Sequence, residues 1–188
     1  MSRMTTERLE ELYVGTLALV AEHGYDKLTM DQIAEATKSS KATLYRQWGS
    51  KAALVVEALQ CTGEINDDFP DTGTIHGDLQ ALAEHSKSHD KGNSDLITAI
   101  MHAMRTNEEL ATAVRTEILG PARGRIAGML KKAVDRGEIA ADNPALPFAD
   151  LLFMAPMLLH IVLEGTEPEP EYLHRYFEGV VIPALGIH

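Results

Sequence analysis

The 188-residue sequence predicts an all-α protein with a three-helix N-terminal domain, residues 1–51, and a larger C-terminal helical domain, residues 52–188. Apolar residues recur at spacings of three and four along nearly the whole chain, and no segment alternates as a strand would. The charge is divided between the two parts. Residues 1–51 contain seven basic and seven acidic side chains, so the remainder carries the whole formal charge of −11.

The N-terminal part is punctuated by helix caps. Gly24 suits the left-handed end of a first helix. Thr29 can cap a second helix while the Gln32 side chain reaches back to it, and Ser39 or Ser40 can cap a third. Together with the apolar spacing, these caps predict helices over residues 6–23, 29–36 and 41–48, and a fourth from residue 51 onward.

The C-terminal part continues in the same pattern. Further helices are predicted from residue 75, over residues 96–104, 107–136 and 151–163, and from about residue 170. The helix over 107–136 crosses Gly120-Pro121, which indicates either one kinked helix or two abutting helices. The segment 151–163 is apolar around its whole circumference, so it should be buried on every side, more easily with a second subunit over one face.

Composition excludes several classes of protein. Cys61 has no partner in the chain, so we exclude a disulfide framework and expect a reducing compartment. The N-terminus turns polar before an apolar core forms, so no signal peptide is predicted. The run Leu151 to Leu163 is shorter than the roughly 20 residues that a spanning helix needs. We therefore expect a soluble, cytoplasmic protein without a membrane partner.

Motifs for catalysis are absent from the sequence. There is no phosphate-binding glycine loop, no Gly-x-Ser-x-Gly and no His-Glu-x-x-His. His85 and His89 have the spacing of two metal ligands on one helix, but the sequence places no third ligand with them. We expect no enzymatic activity, no cofactor and no metal site.

The functional signal lies between Thr29 and Lys51. Two short helices are joined there by a short turn, and the second is basic, which is the layout of a helix-turn-helix. The stretch 37–51 contains four basic side chains and no acid. Local charge governs contact with DNA, because the Debye length is only about 8 Å at physiological salt. A basic DNA-binding surface is therefore predicted in an acidic protein.

The second of these helices should present one side to DNA and the other to its own domain. The apolar side is predicted to carry Leu44 and Trp48. Near the N-terminus of the helix, Ser40 and Thr43 can add hydroxyl donors for a phosphate. The side facing the groove is predicted to carry residues that recur at helical spacing: Lys41, Ala42, Tyr45 and Arg46. For Tyr45, packing in the core is the alternative.

Three stretches carry a resemblance to a known family. Residues 28–34 are LTMDQIA, residues 40–48 are SKATLYRQW and residues 49–54 are GSKAAL. Over about residues 6–60 the chain resembles the DNA-binding domain of TetR/AcrR-type transcriptional regulators. The resemblance implies a homodimer on a near-palindromic double-stranded DNA operator, usually a repressor. It also implies a C-terminal domain that binds a small effector and dimerises through its last two helices.

The resemblance further implies roles for individual residues. Phosphate contacts are implied for Thr29, Ser40, Thr43, Tyr45 and Lys51, and base-edge contacts for Lys41, Ala42, Tyr45 and Arg46. Lysine or arginine with guanine, and alanine with a thymine methyl, are the natural pairings. Lys38 and Gln47 complete the predicted DNA-binding set, although either can instead be a plain surface residue. Lys38 stands where the family often has glycine, and a left-handed lysine costs of order 1 kcal/mol.

The C-terminal domain gives a weaker prediction of a ligand site. Unbranched thioethers adapt to irregular shapes, so methionines with a few aromatic residues can line an apolar cavity. The candidates are Met101, His102, Met104, Met129, Phe153 and Met157. Methionines at helical spacing are, however, more often part of a core.

Two functions are consistent with these patterns. The first is a ligand-responsive DNA-binding transcriptional regulator, a repressor released from its operator by a small apolar effector. The alternative is an all-helical small-molecule binding protein whose DNA-binding half is vestigial. Only Lys38 in the turn and the net negative charge favour the alternative.

Overall fold

The computed structural model describes residues 4–62, 69–85 and 93–187, and within these ranges it contains helices and no strand. The predicted all-α class is therefore confirmed. The helices are α1 (Thr6–His23), α2 (Met30–Ala36), α3 (Lys41–Trp48), α4 (Lys51–Thr62), α5 (Ile75–His85), α6 (Asn93–Ala103), α7 (Glu108–Val114), α8 (Gly120–Asp135), α9 (Ala149–Glu164), α10 (Pro170–Tyr176) and α11 (Ile182–Leu185).

The N-terminal helices begin and end where their caps indicate. A capping box forms at α2, because the Thr29 hydroxyl accepts from the Gln32 backbone N–H and the Gln32 side chain accepts from the Thr29 backbone N–H. Ser40 rather than Ser39 caps α3, by accepting from the backbone N–H of Thr43 at 3.1 Å. Gly24 ends α1 with φ of 78°. Local sequence therefore sets these boundaries.

The first packing unit contains residues 4–62 and 95–120. Its core joins α1 and α4 to residues of α6 and α7, and helix α4 lies against both α1 and α7. Leu12, Val20, Leu54 and Leu110 are completely buried in this core. Burial of a leucine-sized side chain contributes roughly 1.5–3 kcal/mol, so α4 is held firmly on both sides.

The second packing unit contains residues 69–85 and 121–187, that is α5 and α8 to α11. Its core includes Ile75, Leu79, Leu173 and Val181. The two packing units do not follow the predicted boundary at residue 51, since α4, α7 and most of α6 pack with the first unit. How function divides between residues 1–51 and 52–188 stays a prediction.

The predicted kink near Gly120-Pro121 is a π-helical turn. Residues Arg115–Leu119 form this turn between α7 and α8, so three segments follow one another without a loop. Pro121 has no backbone N–H to donate, and the Glu117 carbonyl four residues before it accepts instead from the Gln60 side chain at 2.9 Å. A second π turn, Phe177–Val181, joins α10 to α11 in the same way.

Helix α9 is not buried on every side, which corrects the expectation for residues 151–163. Phe153 belongs to the core of the second unit, and Pro156 and Ile161 are buried as well. Leu159 and Leu163, in contrast, keep 54% and 75% of their surface exposed. A helix that is apolar all round therefore has one face that this chain by itself leaves in contact with solvent.

The turn between α2 and α3 is closed by a left-handed lysine. Lys38 has φ of 50°. The Ser39 N–H donates to the Ala34 carbonyl at 2.8 Å and the Lys38 N–H donates to the Glu35 carbonyl at 3.1 Å. These two bonds form a Schellman motif, which normally places glycine at the left-handed position. The lysine therefore occupies an intact turn at a steric cost rather than distorting it.

We expect Lys38→Gly to be more stable than Lys38→Ala by about 1 kcal/mol, because both changes remove the charge and only glycine adopts this φ without steric cost. Urea unfolding followed by the fluorescence of Trp48, the single tryptophan of the chain, measures the first unit selectively. Equal unfolding midpoints for the two variants would show that the turn is not strained.

Candidate nucleic-acid interface

The exposed side of α3 carries the residues predicted to contact bases. Lys41, Ala42, Tyr45 and Arg46 are all exposed. At about 100° per residue they occupy an arc of about 140° around the helix. Tyr45 keeps 45% of its surface exposed and is not packed in the core. We call these four residues the recognition face.

The buried side of α3 orients the recognition face. Leu44 is completely buried, and Trp48 is only 7% exposed. The Trp48 ring meets the Tyr13 ring of α1 edge-on, with 6.1 Å between centroids and 75° between planes. Each of these large side chains contributes roughly 1.5–3 kcal/mol through burial, so rotation of α3 about its axis is unfavourable.

Hydroxyl groups lie at the starts of α2 and α3, as predicted. Ser40 and Thr29 are exposed, and Thr43 is partly buried. The Ser40 hydroxyl lies 2.8 Å from the Thr43 hydroxyl, so one of the two donates a hydrogen bond to the other. The proton of the second hydroxyl stays available to donate to solvent or to a phosphate. Phosphate contacts from these three side chains stay a prediction, and their exposure is compatible with it.

Lys41 is held by an acidic residue of the neighbouring helix. Its Nζ donates to Oδ2 of Asp31 at 2.7 Å, and both side chains are more than half exposed. This hydrogen bond is the main reason that the pKa of Lys41 lies above its usual value. The Lys41 ammonium also lies 6.0 Å from the centre of the Tyr45 ring. The basic charge of Lys41 is therefore oriented before any DNA is present.

The other exposed residues of the set are less constrained. Arg46 and Lys38 form no ion pair with any residue that the structure describes, and both are exposed. Gln47 is exposed as well. It lies about 100° beyond Arg46 around α3, however, and so falls outside the recognition face.

Lys51 already has partners within its own domain, and the phosphate contact predicted for it stays a prediction. Its Nζ donates to the backbone carbonyls of Tyr25 and Leu28, each at 2.6 Å, and lies 4.0 Å above the Tyr25 ring. Desolvation lowers the pKa of Lys51, and burial raises the pKa of Tyr25 to about 12. The ammonium therefore ties the start of α4 to the loop between α1 and α2.

Two residues near the interface were not singled out by the sequence. Arg8 of α1 donates to the carbonyl of Thr37, the C-cap of α2, and pairs with Glu11 at 2.8 Å. Asp31 pairs with Lys41. The contacts Arg8–Thr37 and Asp31–Lys41 join residues 29 and 10 positions apart, beyond the reach of helical periodicity.

The six residues predicted to line a ligand cavity are divided between the packing units. Met101 and His102 of α6 and Met104, which directly follows this helix, belong to the first unit, where Met101 is 37% exposed. Met129, Phe153 and Met157 belong to the second unit, whose core contains Met129 and Phe153. The six therefore do not form one cluster within either unit.

A cleft of about 530 Å³ lies between α9 and α10 in the second unit. Leu159, Leu163, Tyr172 and Tyr176 contribute to its walls, and none of the six predicted ligand residues does. Nδ1 of His160 lies 2.8 Å from the Thr166 carbonyl oxygen, and its ring packs edge-on against Tyr172 at 4.6 Å. His160 thus has partners of its own, and the cleft continues the exposed face of α9.

One helix of the described residues, Leu146–Glu164, is apolar and long enough to cross a membrane by length and composition alone. A window of 18 of its 19 residues has a mean hydropathy of 1.9, whereas the run 151–163 was expected to be too short. At the start of α9, Asp150 forms an ion pair with Arg123 of α8 at 2.6 Å, which ties that end to the folded unit. Length and composition do not decide what covers this helix.

No group of three or more potential metal ligands lies together among the described residues. The side chains of His85 and His89, the pair with ligand spacing, lie outside the described part of the structure.

Comparison with known proteins identifies both halves of the chain. The profile "Bacterial regulatory proteins, tetR family" matches residues 12–58, and the profile "Tetracyclin repressor-like, C-terminal domain" matches residues 69–180.

Individual proteins agree with these profiles. An uncharacterised HTH-type transcriptional regulator of Mycobacterium tuberculosis is 31% identical over 179 residues, 95% of this chain and 88% of that protein. The DNA-binding transcriptional repressor TetR of Mycobacteroides abscessus is 28% identical over 93% of this chain and 92% of its own length. Among solved structures, GusR of Salmonella enterica has the same fold, with a TM-score of 0.77, 18% identity and coverage of 98% and 100% of the two chains.

We expect Lys51→Met to destabilise the first unit by about 2 kcal/mol, because it leaves two backbone carbonyls without their charged donor. Lys27→Met is the matched control, since Lys27 is an exposed lysine of the loop that Lys51 contacts. Urea unfolding followed by Trp48 fluorescence compares the two variants. Equal losses would contradict the structural role of Lys51.

Proposed function

Because this chain belongs to the tetR family of bacterial regulatory proteins, which are DNA-binding transcriptional regulators, we propose that it acts as a repressor. In this proposal it binds a near-palindromic operator as a homodimer and leaves it when a small apolar effector binds. It works by binding rather than by catalysis, in the cytoplasm where the DNA is. The relative from Mycobacteroides abscessus is itself named a repressor, which supports the direction of the effect.

The recognition face is the observation that carries the proposal. It presents Arg46 and Lys41 to solvent from a helix whose other side is locked into the core. Arginine and lysine pair with guanine in the major groove, and the methyl of Ala42 suits a thymine methyl. Arg46 has no competing ion pair among the described residues, so it is free to make a bidentate contact.

The apolar face of α9 supports dimerisation through the last two predicted helices, which correspond to α9 and to the continuous segment from α10 to α11. Leu151, Leu159, Val162 and Leu163 are between 54% and 75% exposed. At 3.6 residues per turn they fall within about a third of the helix circumference, so they form one continuous surface. Exposed apolar surfaces of this kind mark interaction sites. In a regulator that binds a two-fold operator, we propose that the same face of a second copy covers it.

The effector is proposed to bind in the second packing unit. Its apolar cluster contains Met129 and Phe153, and the partly buried Met154 and Met157 pack against it. A ligand that enters this cluster would favour a dimer whose two α3 helices no longer match major grooves about 34 Å apart. Met101 and His102 on α6, and Met104 just after it, remain candidates in the first unit.

The vestigial alternative loses its main support. It was motivated by Lys38 in the turn, yet that turn closes with both hydrogen bonds of a Schellman motif. The two functions also differ in linkage. If an effector lowers the affinity of the protein for its operator, the operator must lower the affinity for the effector by the same factor. In a small-molecule binding protein without a DNA-binding function, the affinity for the ligand does not depend on DNA.

We expect Arg46→Ala to lose at least about 1 kcal/mol of sequence discrimination, because one good base contact is worth about that much. Random-site selection with the purified protein identifies the operator, and binding is then compared between it and single-base-pair variants. Lys27→Ala, which removes an exposed positive charge away from α3, is the matched control. Failure of the unaltered protein to select or retard any duplex at low salt would contradict the proposed function.

We expect Leu159→Glu with Val162→Glu to convert a dimer into monomers, because two carboxylates would be buried at the apolar contact. Sedimentation velocity measures the mass, and Val14→Glu is the control because Val14 is an equally exposed valine on α1. A dimer that survives the double change, or an unaltered protein that floats with phospholipid vesicles instead of dimerising, would overturn the assignment of this face.

A further inference from the structure

The ion pair between Asp31 and Lys41 places an acid in a surface that should attract DNA. Nζ of Lys41 lies 2.7 Å from Oδ2 of Asp31. Their side chains are 52% and 65% exposed, respectively, so neither is covered by other parts of the fold. From this juxtaposition we propose that Asp31 is a specificity-determining residue, which withholds Lys41 from phosphates and directs it to a base pair. The inference rests on the proposed DNA-binding function.

Helix capping and the helix dipole do not account for the contact between Asp31 and Lys41. An acid in the first turn of α2 is favourable with the helix dipole, and Asp31 stands in that turn. The dipole effect, however, requires no partner on α3. The capping box of α2 is already complete through Thr29 and Gln32. The contact with Lys41 therefore needs a second explanation.

Paired with Asp31, Lys41 is a poor phosphate ligand. A phosphate that approached its ammonium would also approach the Asp31 carboxylate, a like charge within hydrogen-bonding distance of the same nitrogen. The pair as a unit has no net charge and so contributes little to the sequence-independent attraction that phosphates provide. Removing the carboxylate would release a flexible, exposed lysine that can bind phosphates irrespective of DNA sequence.

The same pair has the donors and the acceptor that read a G·C base pair. A lysine ammonium has three N–H donors, and the bond to Asp31 uses one of them. The remaining donors suit guanine O6 and N7 in the major groove. The free oxygen of Asp31 is an acceptor that suits the N4 amino group of the cytosine. Other base pairs, or a phosphate, leave part of this set unsatisfied.

The pair between Asp31 and Lys41 contributes little to the stability of the fold. An exposed ion pair contributes only about 0.2–1 kcal/mol to stability, so its value for folding is small. Its geometry depends instead on α2 and α3 being fixed by the turn at Lys38 and by the burial of Leu44. The two side chains therefore meet because the helices are held, and the pair itself does not hold them.

The test compares Asp31→Asn with the unaltered full-length protein on the selected operator and on a random-sequence duplex of equal length, from 50 to 200 mM salt. We expect tighter binding of Asp31→Asn to random DNA and a log–log salt slope steeper by about 0.9 for each Lys41 that reaches a phosphate. The ratio of operator to random-sequence affinity should fall about tenfold, the value of one base contact.

Two further variants make the effect specific. Glu35→Gln removes the same charge from an exposed residue of the same helix, and it should change the slope and the ratio less than Asp31→Asn does. In a Lys41→Gln background, Asp31→Asn should no longer tighten random-sequence binding, because the released ammonium is gone.

An unchanged slope and unchanged affinity for random DNA in Asp31→Asn would overturn the inference. So would an equal effect in the Lys41→Gln background or in Glu35→Gln. These outcomes are distinct from failure of the proposed function, in which the unaltered protein binds no duplex at all.

Discussion

The burial of Leu44 and Trp48 is the constraint on which the candidate interface depends. These two side chains anchor α3 in the core shared by α1 and α4. An eight-residue helix has little stability by itself, so packing rather than propensity keeps it formed and fixes its rotation. Once that rotation is fixed, the polar residues of α3 must face outward together. The chemistry of the surface follows from the apolar side of the helix.

Polar contacts then fix the segments around this anchor. Arg8 meets the last carbonyl of α2, and Lys51 meets two carbonyls of the loop before α2. In both cases a long cationic side chain donates to backbone carbonyls next to α2. The basic residues of the first 51 positions thus have different roles. Arg8 and Lys51 bind backbone segments, Lys41 is paired with an acid of the neighbouring helix, and Arg46 and Lys38 form no ion pair with any described residue.

The overall acidity of the protein is compatible with this arrangement. Charge interactions in water are screened beyond about 8 Å, so an acidic remainder does not cancel a basic surface of its own. Within that surface, Asp31 reduces the effective charge at the residue that it contacts, Lys41. We infer that binding depends on where the cations are placed more than on their number. The exposed leucines of α9 form a surface that one chain leaves uncovered and that, in our proposal, a second copy buries.

The sequence by itself determined most features that arise within a few residues. The periodicity, the Thr29–Gln32 capping box and a serine cap at residue 39 or 40 predicted α1 to α4, because caps and apolar stripes are local. The choice of Ser40 over Ser39 and the two π turns came from the structure. Only the tertiary structure decided which charges are available. Lys41 pairs with Asp31, and Lys51 donates to loop carbonyls, although sequence spacing does not relate these residues. Sequence spacing likewise did not show that one face of α9 is exposed. Such contacts depend on how helices pack, and packing is a property of the whole core.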